Sequence, residues 1–345
     1  MQSPFLSIIV PVRNGGDAFR RCLAALATAE FPDRELIVVD DGSTDSSAAL
    51  AEQAGAIVLH TSGTRGPGAA RNLGAQAARG EVLVFVDADC EVHRDTLSRM
   101  ADAFSQDGEI AAAFGSYDAD PPGGGVVSRF KNLHHHYIHQ QGRPEAFTFW
   151  AGCGAIRRSV FLAHGGFNET LYARPSIEDI ELGYRIVAGG GHIRLVKDVQ
   201  VKHLKRWRLI SMLRSDIEDR GIPWTRLILS RRTARADLNL RPHHRVSGVL
   251  SVLLPALLVA SVFAPAILLL VVAEIAVLVW LNRGILGFMA RTGKLPVLAV
   301  FPLLLLYYLS ASVAFALGIL THLLKPLPRT ASALRRAGPA ARDGS

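Results

Sequence analysis

The chain has 345 residues, 49% of them hydrophobic, with a formal net charge of +8 and three cysteines. That length admits one large domain or two smaller ones, and cysteines that are odd in number and without metal-like spacing fit reduced thiols, not a disulfide framework. The positive mean hydropathy traces to residues 247–320, and the basic excess flanks that block (Lys202, Lys205, Arg206, Arg208, Arg241 and Arg245 before it, Lys325, Arg329, Arg335, Arg336 and Arg342 after it). Beside apolar spans, this placement reads as attraction to anionic lipid and a positive-inside bias, with no nucleic-acid partner. Met1-Gln2-Ser3-Pro4 runs straight into the first apolar run, so no secretory leader and a cytoplasmic first domain are expected. Apolar runs and helical spacing then alternate: strand Leu6–Val12, helix Asp17–Ala29, strand Leu36–Asp40, helix Ser46–Ala54, strand Ala56–Leu59, helix Gly68–Ala78 and strand Val82–Asp87. The pattern predicts a doubly wound, mostly parallel α/β sheet covered on both faces.

Residues 118–125 (Asp-Ala-Asp-Pro-Pro-Gly-Gly-Gly) read as a loop, followed by a less regular portion that ends the domain near Lys205. Residues 206–245 are expected to form amphipathic basic helices, with Trp207 and Trp224 as interfacial anchors. Ser247–Leu281 is apolar apart from Glu274. A straight helix of that length would span ~52 Å against a hydrocarbon core of ~30 Å. Two or three spans are therefore expected: Ser247–Leu281 as two short ones broken near Pro265, and Val297–Leu320 as another. The expected organisation is a cytoplasmic α/β domain over 1–205, interfacial helices over 206–245, a membrane region over 246–324 and a basic, disordered tail over 325–345.

The chemistry concentrates at predicted strand ends. Side chains two apart on a strand point the same way, so Asp87 and Asp89 project together from the carboxyl edge of a central strand, where open α/β sheets hold ligands. Two hard oxygen donors there suit Mg²⁺ or Mn²⁺, which in turn holds a diphosphate. The second strand ends in Asp40-Asp41-Gly42-Ser43-Thr44-Asp45, where helix capping engages Ser43 to Asp45 and leaves Asp40 and Asp41 free for a base or ribose. Gly66-Pro67-Gly68-Ala69-Ala70-Arg71-Asn72 opens a small-residue helix whose N-terminus, with Arg71, favours an anion.

Ser7-Ile8-Ile9-Val10-Pro11 with Asn14, Val38-Val39-Asp40-Asp41-Gly42-Ser43-Thr44-Asp45, Ala70-Arg71-Asn72 and Asp87-Ala88-Asp89 together resemble family 2 glycosyltransferases of the GT-A fold, in order and spacing as well as identity. The resemblance covers roughly residues 5–230. It implies a nucleotide-diphosphate-sugar donor held by Pro11, Arg13, Asp40, Asp41, Arg71 and Asp87, and a metal held by Asp87, Asp89 and a late histidine, His203. Trp150-Ala151-Gly152-Cys153-Gly154, Gly165-Gly166-Phe167-Asn168-Glu169 and Glu178-Asp179-Ile180-Glu181 resemble the acceptor side, with Trp150 and Gly152 lining it. There Asp179, or else Glu178, is the expected general base, because a sugar hydroxyl must lose its proton to attack with inversion. His134, His135, His136 and His139 read as a polar helix face near that cleft, and Cys153 as no nucleophile.

Processive members of the family carry Gln-x-x-Arg-Trp after the base, whereas this chain has Lys202-His203-Leu204-Lys205-Arg206-Trp207. Transfer of a single sugar to a lipid-linked or saccharide acceptor at the cytoplasmic face of an inner membrane, by a multi-pass enzyme, is therefore the expected function. Transfer to polyprenyl phosphate is the alternative within the class. A nucleotidyltransferase is the alternative outside it, weakened because Arg13-Asn14-Gly15-Gly16 is a poor phosphate loop.

Overall fold

The computed structural model describes residues 4–231 and 241–327. The expected alternation is present as β1 (Leu6–Val12), α1 (Gly16–Thr28), β2 (Arg34–Asp40), α2 (Ser47–Gln53), β3 (Ile57–His60), α3 (Pro67–Ala77) and β4 (Val82–Val86). Aliphatic and β-branched runs make these strands because both of their faces are covered: all five residues of β4 are buried, as are six of the seven in β1. β1 pairs in parallel with β2 and β4, and β2 with β3. The carboxyl ends of β1, β2 and β4 therefore open at one edge.

Beyond β4 the sheet is mixed, which corrects the expectation of a mostly parallel one. The elements that follow are β5 (Cys90–Val92), α4 (Thr96–Gln106), β6 (Ile110–Tyr117), α5 (Gly125–Gln141), β7 (Glu145–Ala146), β8 (Cys153–Arg157), α6 (Arg158–Ala163), α7 (Glu178–Ala188) and β9 (His192–His203). β8 runs antiparallel to both β4 and β6, β9 is parallel to β6, and β5 and β7 are antiparallel to β9. The strand order is β3-β2-β1-β4-β8-β6-β9-β5. Antiparallel neighbours need no crossover helix between them, so this half lacks the regular strand-helix repeat. One face of the sheet is sealed by α1 and α4, the other by α3, α5, α6 and α7.

The chain then continues as α8 (Leu209–Arg214), one wide π turn (Ser215–Gly221) and α9 (Ile222–Arg231). α9 is fastened to the α/β domain by Trp224 Nε1, which donates to the Tyr184 hydroxyl at 3.2 Å, and by Arg231, which donates to Glu181 at 2.6 Å. Trp207 is buried with Phe130, Leu133 and Met212. Neither tryptophan is a free interfacial anchor, a correction to the expected role: both rings are spent on protein contacts. Residues 232–240 of the expected interfacial segment, and the tail beyond 327, lie outside the described residues.

The apolar region forms α10 (Pro242–Phe263), α11 (Leu268–Leu281), α12 (Arg283–Thr292) and α13 (Val297–Leu324). Among the described residues, α10 and α13 are long and apolar enough to cross a membrane, and a third span is reached only by counting the pair α11 and α12, bent by 69°, as one. The break falls at Pro265, as expected, because proline cannot continue the hydrogen-bonded turn. A Cβ on Gly221 would collide with the Ala314 side chain, and one on Gly318 with Thr225. α13 therefore lies against the π turn and α9 with backbones nearly in contact.

Candidate active site

Pro11 and Arg13 from the end of β1, Arg71 from α3, and Asp87 and Asp89 beyond β4 line one cavity of about 1260 Å³. Trp150, Gly152, Glu178, Asp179 and His203 line the same cavity, so the two halves expected from sequence face each other. Asp40 and Asp41 do not line it. Asp41 accepts from Thr61 Oγ1 at 2.8 Å and from the backbone N–H groups of Arg65 at 2.7 Å and Gly66 at 2.8 Å. Asp40 accepts from the Ser43 N–H at 3.1 Å and faces His60 at 3.4 Å. The expectation that both carboxylates stay free is thus corrected: Asp41 holds the loop that leads into α3, and Asp40 closes the turn after β2.

Arg71 joins the halves. It donates to Asp87 Oδ1 at 2.6 Å and to Glu178 Oε1 at 3.0 Å, from a position that is itself buried. Its charge is therefore committed to two carboxylates and is not free for a phosphate. Glu178 accepts on its other oxygen from the Ser176 N–H at 2.9 Å, which leaves it poorly placed to take a proton. Asp179 differs. It accepts from the N–H groups of Ala151 at 3.0 Å and Ile180 at 2.8 Å. Burial, followed by the adjacent Glu178 charge, pushes its carboxyl up to about 6. Such a group is ionised at neutral pH yet basic enough to accept a proton. Above it, Gly152 accepts from the Asp87 N–H at 3.2 Å, and a Cβ there would strike the Trp150 indole. The glycine lets the ring fold back beside the two acids.

Sheet register explains how a histidine more than a hundred residues later reaches Asp89. β5 and β9 pair with Cys90 opposite His203, and the Leu204 N–H donates to the Asp89 carbonyl at 2.8 Å. His203 Nε2 then lies 3.5 Å from Asp89 Oδ2. Its Nδ1 sits 2.7 Å from Asn132 Oδ1, and its ring stacks on Tyr117 with centroids 4.2 Å apart. An amide oxygen only accepts, so Nδ1 donates to it, and that bond turns Nε2 toward the carboxylate. A carboxylate and an oriented imidazole converging in this way fit a divalent cation such as Mg²⁺ or Mn²⁺, with Asn132 fixing the ring from behind. Among the described residues no three His, Cys, Asp or Glu side chains converge, so oxygens of a bound diphosphate and water would complete the coordination. Asp87, the other expected ligand, turns one oxygen to Arg71.

His134, His136 and His139 are buried, and His134, His135 and His139 line the cavity wall. α5 is enclosed between the sheet and α12, so this helix face beside the cleft is packed and not solvated. Burial pushes His139 down to about 3 and His134 and His135 well below the ordinary imidazole range. Burial pushes the Cys153 thiol up to about 12, in keeping with its expected inertness. Sequence reasoning missed Tyr117 and Asn132, which bear no local motif, and the buried ion pair of Lys131 with Asp216. Arg220, visible in the sequence only as part of Asp219-Arg220-Gly221, lines the cavity and has no hydrogen-bond or ion-pair partner among the described residues. On the side away from the sheet, the cavity continues between α9, α10 and α13, past Ile228, Val249, Val252 and Phe315.

Residues 7–165 match the family model described as glycosyl transferase family 2. Glycosyltransferase AglE of Haloferax volcanii is 32% identical over 132 residues, which cover 36% of this chain and 43% of that protein. The pre-mycofactocin glycosyltransferase of Mycobacterium tuberculosis is 29% identical over 213 residues, 59% of this chain and 43% of that protein. The matches thus span less than half the length of either relative. A solved mannosyltransferase from Pyrobaculum calidifontis, in complex with GDP-Man and Mn²⁺, is similar with a TM-score of 0.53 at 17% identity, covering 94% of this chain and 88% of that one. At that identity the likeness speaks for the fold.

Proposed function

We propose, for a chain whose residues 7–165 belong to glycosyl transferase family 2, that it is an inverting transferase moving one sugar from a nucleotide-diphosphate-sugar to a hydroxyl of a lipid-linked acceptor. The observation that carries this is one cavity shared by Asp87, Asp89 and Asp179, with Arg71 bonded to Asp87 on one side and to Glu178 beside Asp179 on the other. Pro11 and Arg13 border the nucleotide end. Asp89 and His203 would hold the divalent metal, which when bound neutralises charge on the departing diphosphate. Asp179 takes the proton of the acceptor hydroxyl as it attacks the anomeric carbon from the face opposite the leaving group. Glu178 and Arg71 are positioning residues: they fix the start of α7, and so the carboxylate next to it.

The acceptor reading rests on the reach of the cavity from these acids to the apolar walls of α10 and α13, a shape that suits an amphiphile with its reactive end among the acids and its hydrocarbon among the helices. The enzyme would then work at the cytoplasmic face of an inner membrane. One observation favours a second reading: the unpartnered Arg220 on the cavity wall suits a phosphate, as in polyprenyl phosphate, which needs no base. The deciding experiment measures nucleoside diphosphate release from a panel of nucleotide sugars by the full chain with Mg²⁺ or Mn²⁺, with and without membrane lipid extract. Release that depends on both metal and lipid is expected. Release unchanged by Asp89→Ala, or none with any donor, overturns the assignment.

A further inference from the structure

From the packing of the apolar helices we infer that the chain is seated in a single leaflet of an anionic bilayer, with the α10 and α11 hairpin dipping into the hydrocarbon without crossing it and α13 lying along the membrane surface. This deepens the membrane association proposed above and rests on it.

The hairpin is measured from its base. Asn282 Nδ2 donates to Ser247 Oγ at 2.9 Å, and the Tyr308 hydroxyl donates to Asn282 Oδ1 at 2.6 Å, which sets residues 247 and 282 at one level beside α13. The same level carries Trp280, exposed, with the Arg283 guanidinium 5.0 Å from its ring centroid, a pairing suited to the headgroup zone. From there α10 runs 17 residues to Phe263 and α11 returns over 14. At ~1.5 Å per residue those arms reach about 25 Å and 21 Å, short of a ~30 Å hydrocarbon core.

The tip decides the matter. Residues 262–270 are Val-Phe-Ala-Pro-Ala-Ile-Leu-Leu-Leu, without a polar side chain, and Val262, Phe263 and Leu269 are 77%, 84% and 76% exposed. A hairpin that emerged on the far side would hold these groups in water. The backbone is already suited to lipid: the Ala264 N–H donates to Ala260 O at 3.0 Å, the Ile267 N–H to Ala264 O at 2.9 Å, and Pro265 has no N–H to satisfy. The only charged residue between Gly248 and Trp280, Glu274, faces inward and is buried.

α13 cannot stand across the bilayer while both of its ends touch the catalytic domain or what is fastened to it. Before its first turn, Lys294 donates to Ala119 O at 2.8 Å and Asp120 Oδ1 at 2.7 Å. In its middle, the Tyr307 ring packs on His134 with centroids 4.3 Å apart. At its end, Arg226 of α9 donates to Lys325 O at 2.8 Å. A perpendicular α13 would carry Asp120, Asp216 and Arg226 into hydrocarbon with it, at a cost that membrane proteins avoid. Laid flat, it offers Leu298, Leu320, Leu323 and Leu324 to lipid. Arg241, Arg283, Arg291, Lys294 and Lys325 all then lie on the catalytic side, where anionic headgroups are.

The test is cysteine accessibility in the full chain. Cys22, Cys90 and Cys153 are buried, so a single added thiol dominates the labelling. Val262→Cys, Leu269→Cys, Lys294→Cys and Lys325→Cys are probed with a membrane-impermeant maleimide on sealed spheroplasts and on inverted vesicles. Expected are strong labelling of positions 294 and 325 in inverted vesicles only, and tenfold or lower labelling of 262 and 269 from either side, rising on detergent extraction. Labelling of 262 or 269 on spheroplasts means a crossing hairpin and overturns the inference, as does labelling of 294 and 325 from opposite sides. Labelling of 262 and 269 in inverted vesicles without detergent means the hairpin is not in lipid and overturns it equally. None of these readouts depends on turnover, so their failure leaves sugar transfer standing.

Discussion

Asp179→Asn separates a general base from a structural acid. Its carboxyl is pushed up to about 6 from an ordinary value of 3.8. A base titrating there is about nine-tenths ionised at pH 7 and about one-tenth at pH 5, so kcat/KM falls roughly tenfold across those two units, whereas an unshifted aspartate would stay ionised. Removing the base costs about 10²–10⁴-fold in kcat and abolishes that limb. The stability effect has the opposite sign. A carboxyl raised in the folded state stabilises fully only below its unfolded value, and that contribution is lost as pH rises through about 6. The native chain therefore loses on the order of 3 kcal/mol across that window, which the asparagine does not. The assay is nucleoside diphosphate release over pH 5–8, paired with melting curves at about pH 4 and pH 7, which bracket the stability window. Turnover within threefold of native, or a surviving acid limb, refutes the base. So would a variant melting well below the native chain at pH 7, which would mean that the carboxylate is structural.

Asn132→Leu leaves the His203 ring without its partner, and the half-saturating Mn²⁺ concentration should rise about 10–100-fold with kcat at saturating metal little changed; an unchanged metal titration removes His203 from the metal site. Arg71→Leu leaves Asp87 and Glu178 without their shared cation, and should lower unfolding stability toward the lower end of the ~3–5 kcal/mol range for broken buried pairs, since the Asp87 side chain is 33% exposed; a denaturant midpoint equal to native contradicts the bridge. Asp41→Ala frees three donors and should cost about 1–3 kcal/mol, with a raised KM for the donor and faster proteolytic nicking at residues 61–66. An altered kcat with unchanged KM and nicking would place Asp41 in the chemistry instead of the loop.

The first ninety residues were legible because burial on both faces and βα alternation leave a periodic trace, and because motifs at strand ends fall at one edge of the sheet by construction. The carboxylates were harder. Asp87, Asp89 and Asp179 carry local strings, but nothing local says that Asp41 spends its oxygens on three backbone and hydroxyl donors, since those donors belong to a loop twenty residues on. His203 could be named only by likeness. Its closeness to Asp89 follows from the β5 and β9 register, a long-range pairing that sequence periodicity does not encode. The burial of the α5 histidines was hidden for a related reason. Composition made them polar, whereas α12 and α13, arriving from the far end of the chain, enclose the helix that bears them.

That enclosure bears on how the protein can be handled. Phe130, Leu133, Trp207 and Met212 share one apolar cluster with Ile285, Met289, Val300 and Leu304, so the greasy C-terminal third is a wall of the enzyme and not a detachable tether. A fragment ended at residue 231 for the sake of easy purification would bare that cluster along the flank of the cleft and invite aggregation. Detergent-solubilised whole protein, or the chain embedded in a nanodisc, is the form in which its catalytic behaviour can be judged.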